Sequence, residues 1–216
     1  MLVKYLNYKF LLLWIKYFFS KYSRYRFIYS IILNSRPKTI LEIGVYKGKR
    51  SKEMIYLAKS FNEKIVYYGF DLFEDIKKTK INNELSKKPK SKKYLSKFIK
   101  QNLKNVQVNL IKGDTKKTLQ KFVKKKLKID FVFIDGGHAI STIKSDWKNV
   151  KKIIGKKSVV VFDDYYDNTT ITKKFGCNKV IENLENKYCY TILPSTDYVS
   201  EHKMNFKNSL VKVFCK

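Results

Sequence analysis

Residues 129–138 read Ile-Asp-Phe-Val-Phe-Ile-Asp-Gly-Gly-His, an apolar run that stops at an acid and two glycines. The residues before the second acid are mostly β-branched or aromatic, which is typical of a parallel strand buried on both faces. The apolar residues 159–162 stop in the same way, at Asp163 and Asp164. In open α/β sheets, ligands bind at the carboxyl ends of the strands. Unpaired carboxylates at that edge therefore indicate cation binding or proton transfer.

From residue 38 onward, strand-like and helix-like patterns alternate. The sequence predicts strands at residues 39–43, 65–70, 106–111, 129–134 and 159–162, and helices at residues 51–61, 91–103, 118–127 and 143–153. Two further strand-like runs, residues 188–193 and 209–214, have no helix between them. This order predicts an α/β fold with a doubly wound, mostly parallel sheet and an antiparallel C-terminal strand. Residues 74–93 are the most loop-like internal stretch, either a substrate loop or a solvated surface loop.

The chain has 216 residues and a formal charge of +29, so its length suits one domain with a full core. The charge has two interpretations: a face that binds nucleic acid, or helices solvated by lysine. Only four of the 47 basic residues are arginine, which bidentate phosphate recognition favours, and the lysines are scattered. Both facts favour the second interpretation, in which the lysines solvate the helices. The three cysteines lack CxxC spacing, which argues against zinc and disulfides and predicts a cytoplasmic protein.

Residues 1–36 differ in character from the rest and are predicted to form an N-terminal helical segment before a domain at residues 37–216. Residues 10–15 are apolar, but lysines bracket them and the run is too short to cross a membrane. A small-residue cleavage site, as in signal peptides, is also lacking. Two interpretations remain: a helix lying peripherally on a membrane, or helices that pack on the domain or cover its substrate cleft. Packing is favoured, because buried amphipathic helices are much commoner.

A turn with two glycines follows the first predicted strand. Residues 41–48 read Leu-Glu-Ile-Gly-Val-Tyr-Lys-Gly, in which Gly44 allows a sharp turn near a ligand and Gly48 a close start of the next helix. The spacing matches neither the dinucleotide fingerprint nor the nucleotide-phosphate loop. Asp71 and Asp114 end the next two strands, where an acid either contacts a nucleoside or forms a turn or helix cap. Five consecutive strand–helix turns thus carry an acid.

These motifs together resemble the class I S-adenosylmethionine-dependent methyltransferases, and most of all the branch of macrolide-sugar, macrocin-type O-methyltransferases. The resemblance covers about residues 38–216 and rests on residues 41–48, 69–71 (Gly-Phe-Asp), 113–115 (Gly-Asp-Thr), 133–138 and 162–165 (Phe-Asp-Asp-Tyr). It implies a seven-stranded Rossmann-like sheet in which the glycine loop surrounds the methionine part of S-adenosylmethionine. It also implies that Asp71 holds the ribose and Asp114 the adenine edge. The implied cofactor-binding residues are Glu42, Gly44, Val45, Tyr46, Gly48, Ser51, Asp71, Asp114 and Thr115.

The resemblance also implies a metal ion. In the sugar methyltransferases a magnesium-type ion sits between acids that correspond here to Asp135, Asp163 and Asp164. Hard oxygen ligands of this kind suit magnesium, manganese or calcium. Relatives often carry a second acid, proposed as general base, where this chain has Gly137. His138 follows it and is the candidate catalytic base beside Asp135, because a neutral imidazole accepts protons near neutral pH; alternatively, it only caps the next helix.

Three functions are consistent with the sequence. The favoured one is metal-assisted O-methylation of a hydroxyl on a sugar, glycoside or other small molecule. The second is an RNA methyltransferase that docks through its lysine-rich surface, although no Asn-Pro-Pro-Tyr run is present and the strand-end motifs contain no cysteine. The third is a non-catalytic, membrane-associated binding protein anchored by residues 1–36, against which the intact set of acids argues.

Overall fold

The computed structural model of the chain describes residues 8–101, 103–201 and 204–216. Within this part of the chain, eight strands form the central sheet. They are β1 (Thr39–Ile43), β2 (Ile65–Asp71), β3 (Val106–Lys112), β4 (Ile129–Ile134), β5 (Ile154–Tyr166), β6 (Tyr188–Ile192), β7 (Tyr198–Glu201) and β8 (Met204–Cys215). The strand order is β3-β2-β1-β4-β5-β8-β6, and β7 pairs with β8 outside this path.

The sheet is mostly parallel, as predicted. Strands β1 to β5 pair in parallel, and β8 runs antiparallel to β5, β6 and β7. The seven predicted strands make up the main path, and β7 is an eighth that the sequence did not indicate. This strand has four residues, too few for a readable alternation of apolar and polar side chains.

Strand β5 continues past the two acids at which the sequence predicted its end. It runs to Tyr166, and its register with β8 shifts between Phe162 and Tyr165. Asp164 has a φ of 65°, so the irregularity lies at the acidic pair itself. Such bulges redirect side chains, and here Asp163 and Asp164 end up buried at one edge of the sheet.

The helices cover both faces of the sheet. They are α1 (Tyr8–Phe18), α2 (Arg26–Ser35), α3 (Lys49–Ala58), α4 (Lys78–Asn83), α5 (Lys92–Lys100), α6 (Thr115–Val123), α7 (Ile140–Val150) and α8 (Asn178–Ile181). Helices α1, α2, α3 and α5 share one apolar cluster with the sheet, and α6, α7 and α8 share another. The predicted doubly wound arrangement is therefore confirmed. The loop prediction for residues 74–93 is wrong at α4, which buries none of its residues and so lacks an apolar stripe.

The N-terminal helices pack on the face of the sheet that carries α3. Leu13 and Tyr17 of α1, with Ile28 and Ile32 of α2, lie in the same buried cluster as Met54 of α3. This is the packing that the sequence favoured. The division of the chain at residue 36 stays a prediction, because α2 and the sheet share a continuous core. Among the described helices, none combines the length and the apolar character that crossing a bilayer requires.

Candidate active site

A cavity of about 360 Å³ opens at the carboxyl ends of the five parallel strands β1 to β5. The register pairs Ile43 of β1 with Phe70 of β2 and with Ile134 of β4, so the turns after these strands meet at one edge. All five acidic turns predicted from the sequence contribute to its wall. The lining acids of these turns are Glu42, Asp71, Asp114, Asp135, Asp163 and Asp164, and Glu84 also lines the cavity.

The glycine loop after β1 passes directly over the turn after β4. Gly44 has a φ of 92°, and a Cβ atom there would lie 1.8 Å from the carbonyl oxygen of Asp135. Gly48 has a φ of 72° and precedes α3; a Cβ atom there would lie 2.7 Å from Leu95 Cδ2. Both positions therefore require glycine, for conformation and for space.

Asp71 holds this loop in place. Its Oδ2 accepts hydrogen bonds from the backbone N–H groups of Val45 and Tyr46, each at 2.9 Å. Its Oδ1 accepts one from the N–H of Phe73 at 3.1 Å. Both oxygens thus already bind backbone donors. The predicted ribose contact stays a prediction, and the structure adds a role in shaping the loop.

Glu42 is buried beneath the loop. Its carboxylate accepts hydrogen bonds from the hydroxyls of Ser51 and Tyr67. Burial raises the pKa of Glu42 to about 7, although these two hydrogen bonds act to lower it. The glutamate links β1, β2 and α3 directly below the glycines and so supports the loop. The part in cofactor binding that the resemblance implies for Glu42 stays a prediction.

Asp114 and Thr115 lie at the end of β3 and line the same cavity. Asp114 is the N-cap of α6, and its Oδ1 accepts a hydrogen bond from the N–H of Lys116 at 2.9 Å. Lys80 of α4 approaches its Oδ2 at 3.8 Å. The capping alternative is therefore realised, and it leaves both residues facing the cavity.

Arg24, which the sequence analysis did not single out, enters the site from the turn between α1 and α2. Its Nε and Nη2 donate to the two oxygens of Asp163, each at 2.9 Å. Its Nη1 donates to Asp197 Oδ2 at 3.0 Å, and the Tyr25 hydroxyl donates to Asp163 Oδ2 at 2.9 Å. The side chains of this ion pair are 5% and 1% exposed. Burial alone would raise the pKa of Asp163, but the charge and hydrogen bonds of Arg24 outweigh it and hold that pKa below its usual value.

The other two predicted metal ligands group with the candidate base. Asp135, His138 and Asp164 each place one ligand atom within 4.8 Å of those of the other two. Burial, followed by the charges of Asp163 and Asp164, raises the pKa of Asp135 well above its usual value. Burial also raises the pKa of Asp164, whose Oδ1 accepts a hydrogen bond from the Asn208 amide at 3.1 Å. A cation at this point would relieve the repulsion among the carboxylates.

His138 is held on both sides of its ring and along its backbone. Its Nε2 lies 3.1 Å from Asp164 Oδ2, and its Nδ1 lies 3.4 Å from the Tyr166 hydroxyl. Its backbone N–H donates to the Glu84 carbonyl at 3.0 Å. The Ala139 N–H, which opens α7, bonds Glu84 rather than His138. The alternative in which His138 merely caps α7 therefore has no support in these contacts.

Glu84 is the second residue that the sequence analysis missed. It follows α4, is 5% exposed, and accepts hydrogen bonds from Ala139 N–H at 3.0 Å and the Thr142 hydroxyl at 2.7 Å. A Cβ atom at Gly137 would lie 2.5 Å from Glu84 Oε2. The Glu84 carboxylate therefore occupies the space that a side chain at position 137 would need. This explains why the chain has glycine there.

Only one of the two missed residues left a signal in the sequence. Arg24 is one of four arginines in a chain that otherwise uses lysine. Arg24 is buried, Arg50 is partly buried and donates to the Tyr29 hydroxyl, and Arg26 and Arg36 lie over aromatic rings. Arg24 thus makes a bidentate contact with Asp163 that lysine cannot make. Glu84 lies in the loop-like stretch and had no comparable signal.

Comparison with known proteins identifies the fold and the family. A family profile described as a methyltransferase domain matches residues 41–165. No curated protein matches the chain. Among solved structures, an O-methyltransferase from Bacillus cereus in complex with SAH is similar, with a TM-score of 0.61 and 15% identity over 88% of this chain and 79% of that one.

Two enzymes of natural-product synthesis are also similar in structure. A TDP-rhamnose 3′-O-methyltransferase of calicheamicin biosynthesis has a TM-score of 0.56 and 16% identity, covering 87% of this chain and 80% of that one. An O-methyltransferase of tomaymycin synthesis from Streptomyces achromogenes, in complex with SAM, has a TM-score of 0.55 and 11% identity, covering 87% and 77%. At these identities the likeness shows a shared fold. Because the family profile spans more than half of the chain, the protein belongs to the methyltransferase domain family.

Proposed function

We propose that the protein transfers the methyl group of S-adenosylmethionine to a hydroxyl oxygen of a small molecule, of the sugar or glycoside class. One observation carries this proposal: a single cavity joins the glycine loop to a group of two carboxylates and an imidazole. The glycine loop is suited to a nucleoside cofactor, and the group of carboxylates and imidazole is suited to an acceptor hydroxyl. The three cysteines are free, which agrees with a reducing compartment such as the cytoplasm.

The cofactor would lie along the edge formed by β1, β2 and β3. The loop from Gly44 to Gly48 lines the cavity, and the methionine part would lie against it. Asp71 and Thr115 line the neighbouring wall, where the ribose and the adenine would lie. The sulfonium is already a good leaving group, so the protein has to orient the acceptor and remove its proton.

Asp135, His138 and Asp164 fit a divalent cation. The two carboxylates are the hard oxygen ligands that magnesium and manganese bind, and the added imidazole favours manganese over magnesium. Burial, followed by the charges of Asp163 and Asp164, raises the pKa of Asp135, and a cation would offset the repulsion among these carboxylates. When bound, such an ion would polarise the acceptor hydroxyl and lower its pKa. Asp163 contributes less directly than the resemblance implied, since both its oxygens already bind Arg24. We therefore infer a ligand set that includes His138 and uses Asp163 as an anchor for the N-terminal helices.

His138 is also suited to accept a proton. Asp164 would orient the imidazole, as a carboxylate does in other carboxylate–imidazole pairs. Tyr166 fixes the other ring nitrogen, and Glu84 fixes the backbone. Binding a metal ion and accepting a proton are alternative roles for the same imidazole nitrogen of His138. The two roles predict different effects of substituting His138.

The saccharide class of the acceptor rests on two supports. The motifs at residues 133–138 and 162–165 resemble the sugar O-methyltransferases, and a structurally similar enzyme methylates a TDP-linked rhamnose. Within that class, the loop side chains around the cavity would select the acceptor.

Isothermal titration with S-adenosylhomocysteine tests the cofactor. The protein is expected to bind it with micromolar affinity, and Gly44→Ala to bind at least about tenfold more weakly, because the added Cβ would collide with the turn after β4. Gly155→Ala is the matched control, since the nearest atom to its Cβ would be Ser158 Oγ at 4.0 Å. Absence of binding at millimolar ligand would refute the proposal.

Manganese titration followed by electron paramagnetic resonance tests the metal. Asp164→Asn is expected to lose binding at least about tenfold, because one anionic ligand is removed. Glu182→Gln, an exposed acid on α8's C-terminal side, is the control and should bind as the wild type does. Equal binding by wild type and Asp164→Asn would exclude this ligand set.

A further inference from the structure

Helix α1 presents an apolar face to solvent. Tyr8, Leu11, Leu12, Ile15 and Phe18 are 62%, 38%, 62%, 44% and 44% exposed. At 100° per residue they fall within an arc of about 120° on one side of the helix. Phe19, directly after the helix and 81% exposed, continues this arc. Tyr22, 39% exposed, follows in the turn that leads to α2. We refer to these seven residues as the outer face of α1.

The outer face is not the one that holds the helix on the protein. Leu13 and Tyr17, on the opposite side, are buried in the core cluster, and Phe10 packs against it. The Tyr17 hydroxyl also donates to Glu53 of α3 at 2.9 Å. The helix is therefore apolar on two sides, of which the fold uses one. Large apolar side chains that recur at helical spacing on a surface mark an interaction site.

Basic residues border the outer face. Lys9 and Lys16 occupy the helical positions next to it, and Lys21 follows Phe19. Lys16 is anchored by an ion pair with Glu53 at 2.6 Å, and Lys9 lies over the Tyr56 ring at 4.2 Å, so both stay close to the helix. An apolar helical face bordered by lysines is the pattern of helices that lie in the interface of an anionic bilayer.

We propose that α1 docks the protein on an anionic lipid surface, with the outer face inserted among the acyl chains. The charge of the chain decides between this partner and a second copy. At +29, two copies brought together through this face repel each other, whereas acidic headgroups attract each copy. The proposal is independent of the methyl-transfer chemistry.

Docking would also bring the cavity close to the bilayer. Tyr22 belongs to the outer face and lines the cavity, and Arg24, two residues later, binds Asp163 within it. The segment that would bind lipid is therefore continuous with the segment that completes the site. An acceptor delivered at the membrane surface would reach the cavity over a short distance.

Co-sedimentation of the full chain with vesicles tests the proposal. Vesicles of phosphatidylcholine with phosphatidylglycerol are compared with vesicles of phosphatidylcholine alone. The wild type is expected to bind the mixed vesicles at least about tenfold more tightly than the neutral ones, and more weakly at high salt. The variant Leu12→Glu/Phe19→Glu should lose about 100-fold in binding, since each inserted side chain contributes about tenfold or more.

The control variant is Tyr94→Glu/Tyr190→Glu, which changes two half-exposed aromatic residues away from α1. It should bind as the wild type does, and all three proteins should unfold at similar temperatures, because the changed residues are exposed. Wild type that stays in solution with mixed vesicles, or equal binding by both variants, would overturn the proposal. So would a dimer in size-exclusion chromatography that Leu12→Glu/Phe19→Glu dissociates, because a second copy would then cover the outer face.

Discussion

The pairing of Arg24 with Asp163 joins the N-terminal helices to the candidate active site. The substitution Arg24→Met tests how much this ion pair contributes to the free energy of unfolding. Methionine keeps a long apolar stem and removes the guanidinium. Three hydrogen bonds to carboxylates are lost: two to Asp163 at 2.9 Å and one to Asp197 at 3.0 Å. Both acids have side chains that are 1% exposed, so solvent cannot replace the missing donors.

The magnitude follows from the burial of the pair. Removing one partner of a buried ion pair costs about 3–5 kcal/mol, because an uncompensated charge remains. Here one guanidinium serves two buried carboxylates, so we expect a loss near 5 kcal/mol at neutral pH. For a chain of this length, 1 kcal/mol shifts the unfolding temperature by about 2–4 °C. Arg24→Met should therefore unfold at least about 10 °C below the wild type.

The loss should depend on pH. In the wild type, Arg24 holds the pKa of Asp163 below its usual value, so the pair stabilises the fold above about pH 4, the unfolded pKa, and that stabilisation is lost as pH falls through the lowered folded pKa. In Arg24→Met, burial without a partner raises the pKa of Asp163, so the folded state is penalised as pH rises. The difference in unfolding free energy between wild type and variant should therefore be larger at pH 8 than at pH 5.

Urea denaturation of four proteins measures these effects. They are the wild type, Arg24→Met, Arg24→Met/Asp163→Asn and, as control, Lys21→Met, which changes an exposed residue on the same turn. The double variant should regain part of the lost stability, because an amide at 163 carries no charge. The reasoning is refuted if Arg24→Met lies within about 1 kcal/mol of the wild type, or if Lys21→Met is equally destabilised.

Three further predictions concern the turn after β4 and helix α7. Gly137→Ala should lower the unfolding free energy by about 1–3 kcal/mol and weaken cofactor binding, because its Cβ would displace Glu84. The control Gly155→Ala should change neither quantity, and equal effects of the two substitutions would contradict the prediction. His138→Gln should lower kcat by about 10²–10⁴ and abolish the acidic limb of the pH–rate profile if His138 is the base; an unchanged profile excludes that role. Burial raises the pKa of Asp146 to about 7, and neither of its oxygens has a hydrogen-bond partner among the described residues. The free energy of unfolding of the wild type should therefore decrease as the pH rises from about 4 to about 7. Because asparagine carries no charge, the free energy of unfolding of Asp146→Asn should increase by about 3–4 kcal/mol relative to that of the wild type between pH 4 and pH 8. Parallel stability curves for the two proteins would disprove this.

Much of the fold was predictable because the central strands carry their own signals. Strands β1 and β4 have the predicted bounds, since short apolar runs ending at Gly or Asp are readable without any partner. Their parallel pairing placed the strand-end acids at one edge, as predicted. The end of β5 was not predictable, because Asp163 and Asp164 would usually stop a strand, and only pairing with β8 carries it on to Tyr166.

The candidate site was predictable to the extent that its residues lie at strand ends. Glu42, Asp71 and Asp135 all line the cavity, as the turn positions indicated. What each acid binds was not predictable. Asp71 binds the backbone of the glycine loop, and Asp163 binds an arginine rather than standing free for a cation.

The sequence by itself determined the positions of most strands, the glycine loop and the edge at which the acids gather, because local hydrophobic patterns and turn residues specify these features. Only the tertiary structure decided which charges meet. Arg24 reaches Asp163 across 139 residues, and the Glu84 carboxylate reaches Thr142 across 58. The physical reason is that a buried charge pairs with whatever the packing of distant elements brings within about 3 Å, and no local pattern encodes that partner.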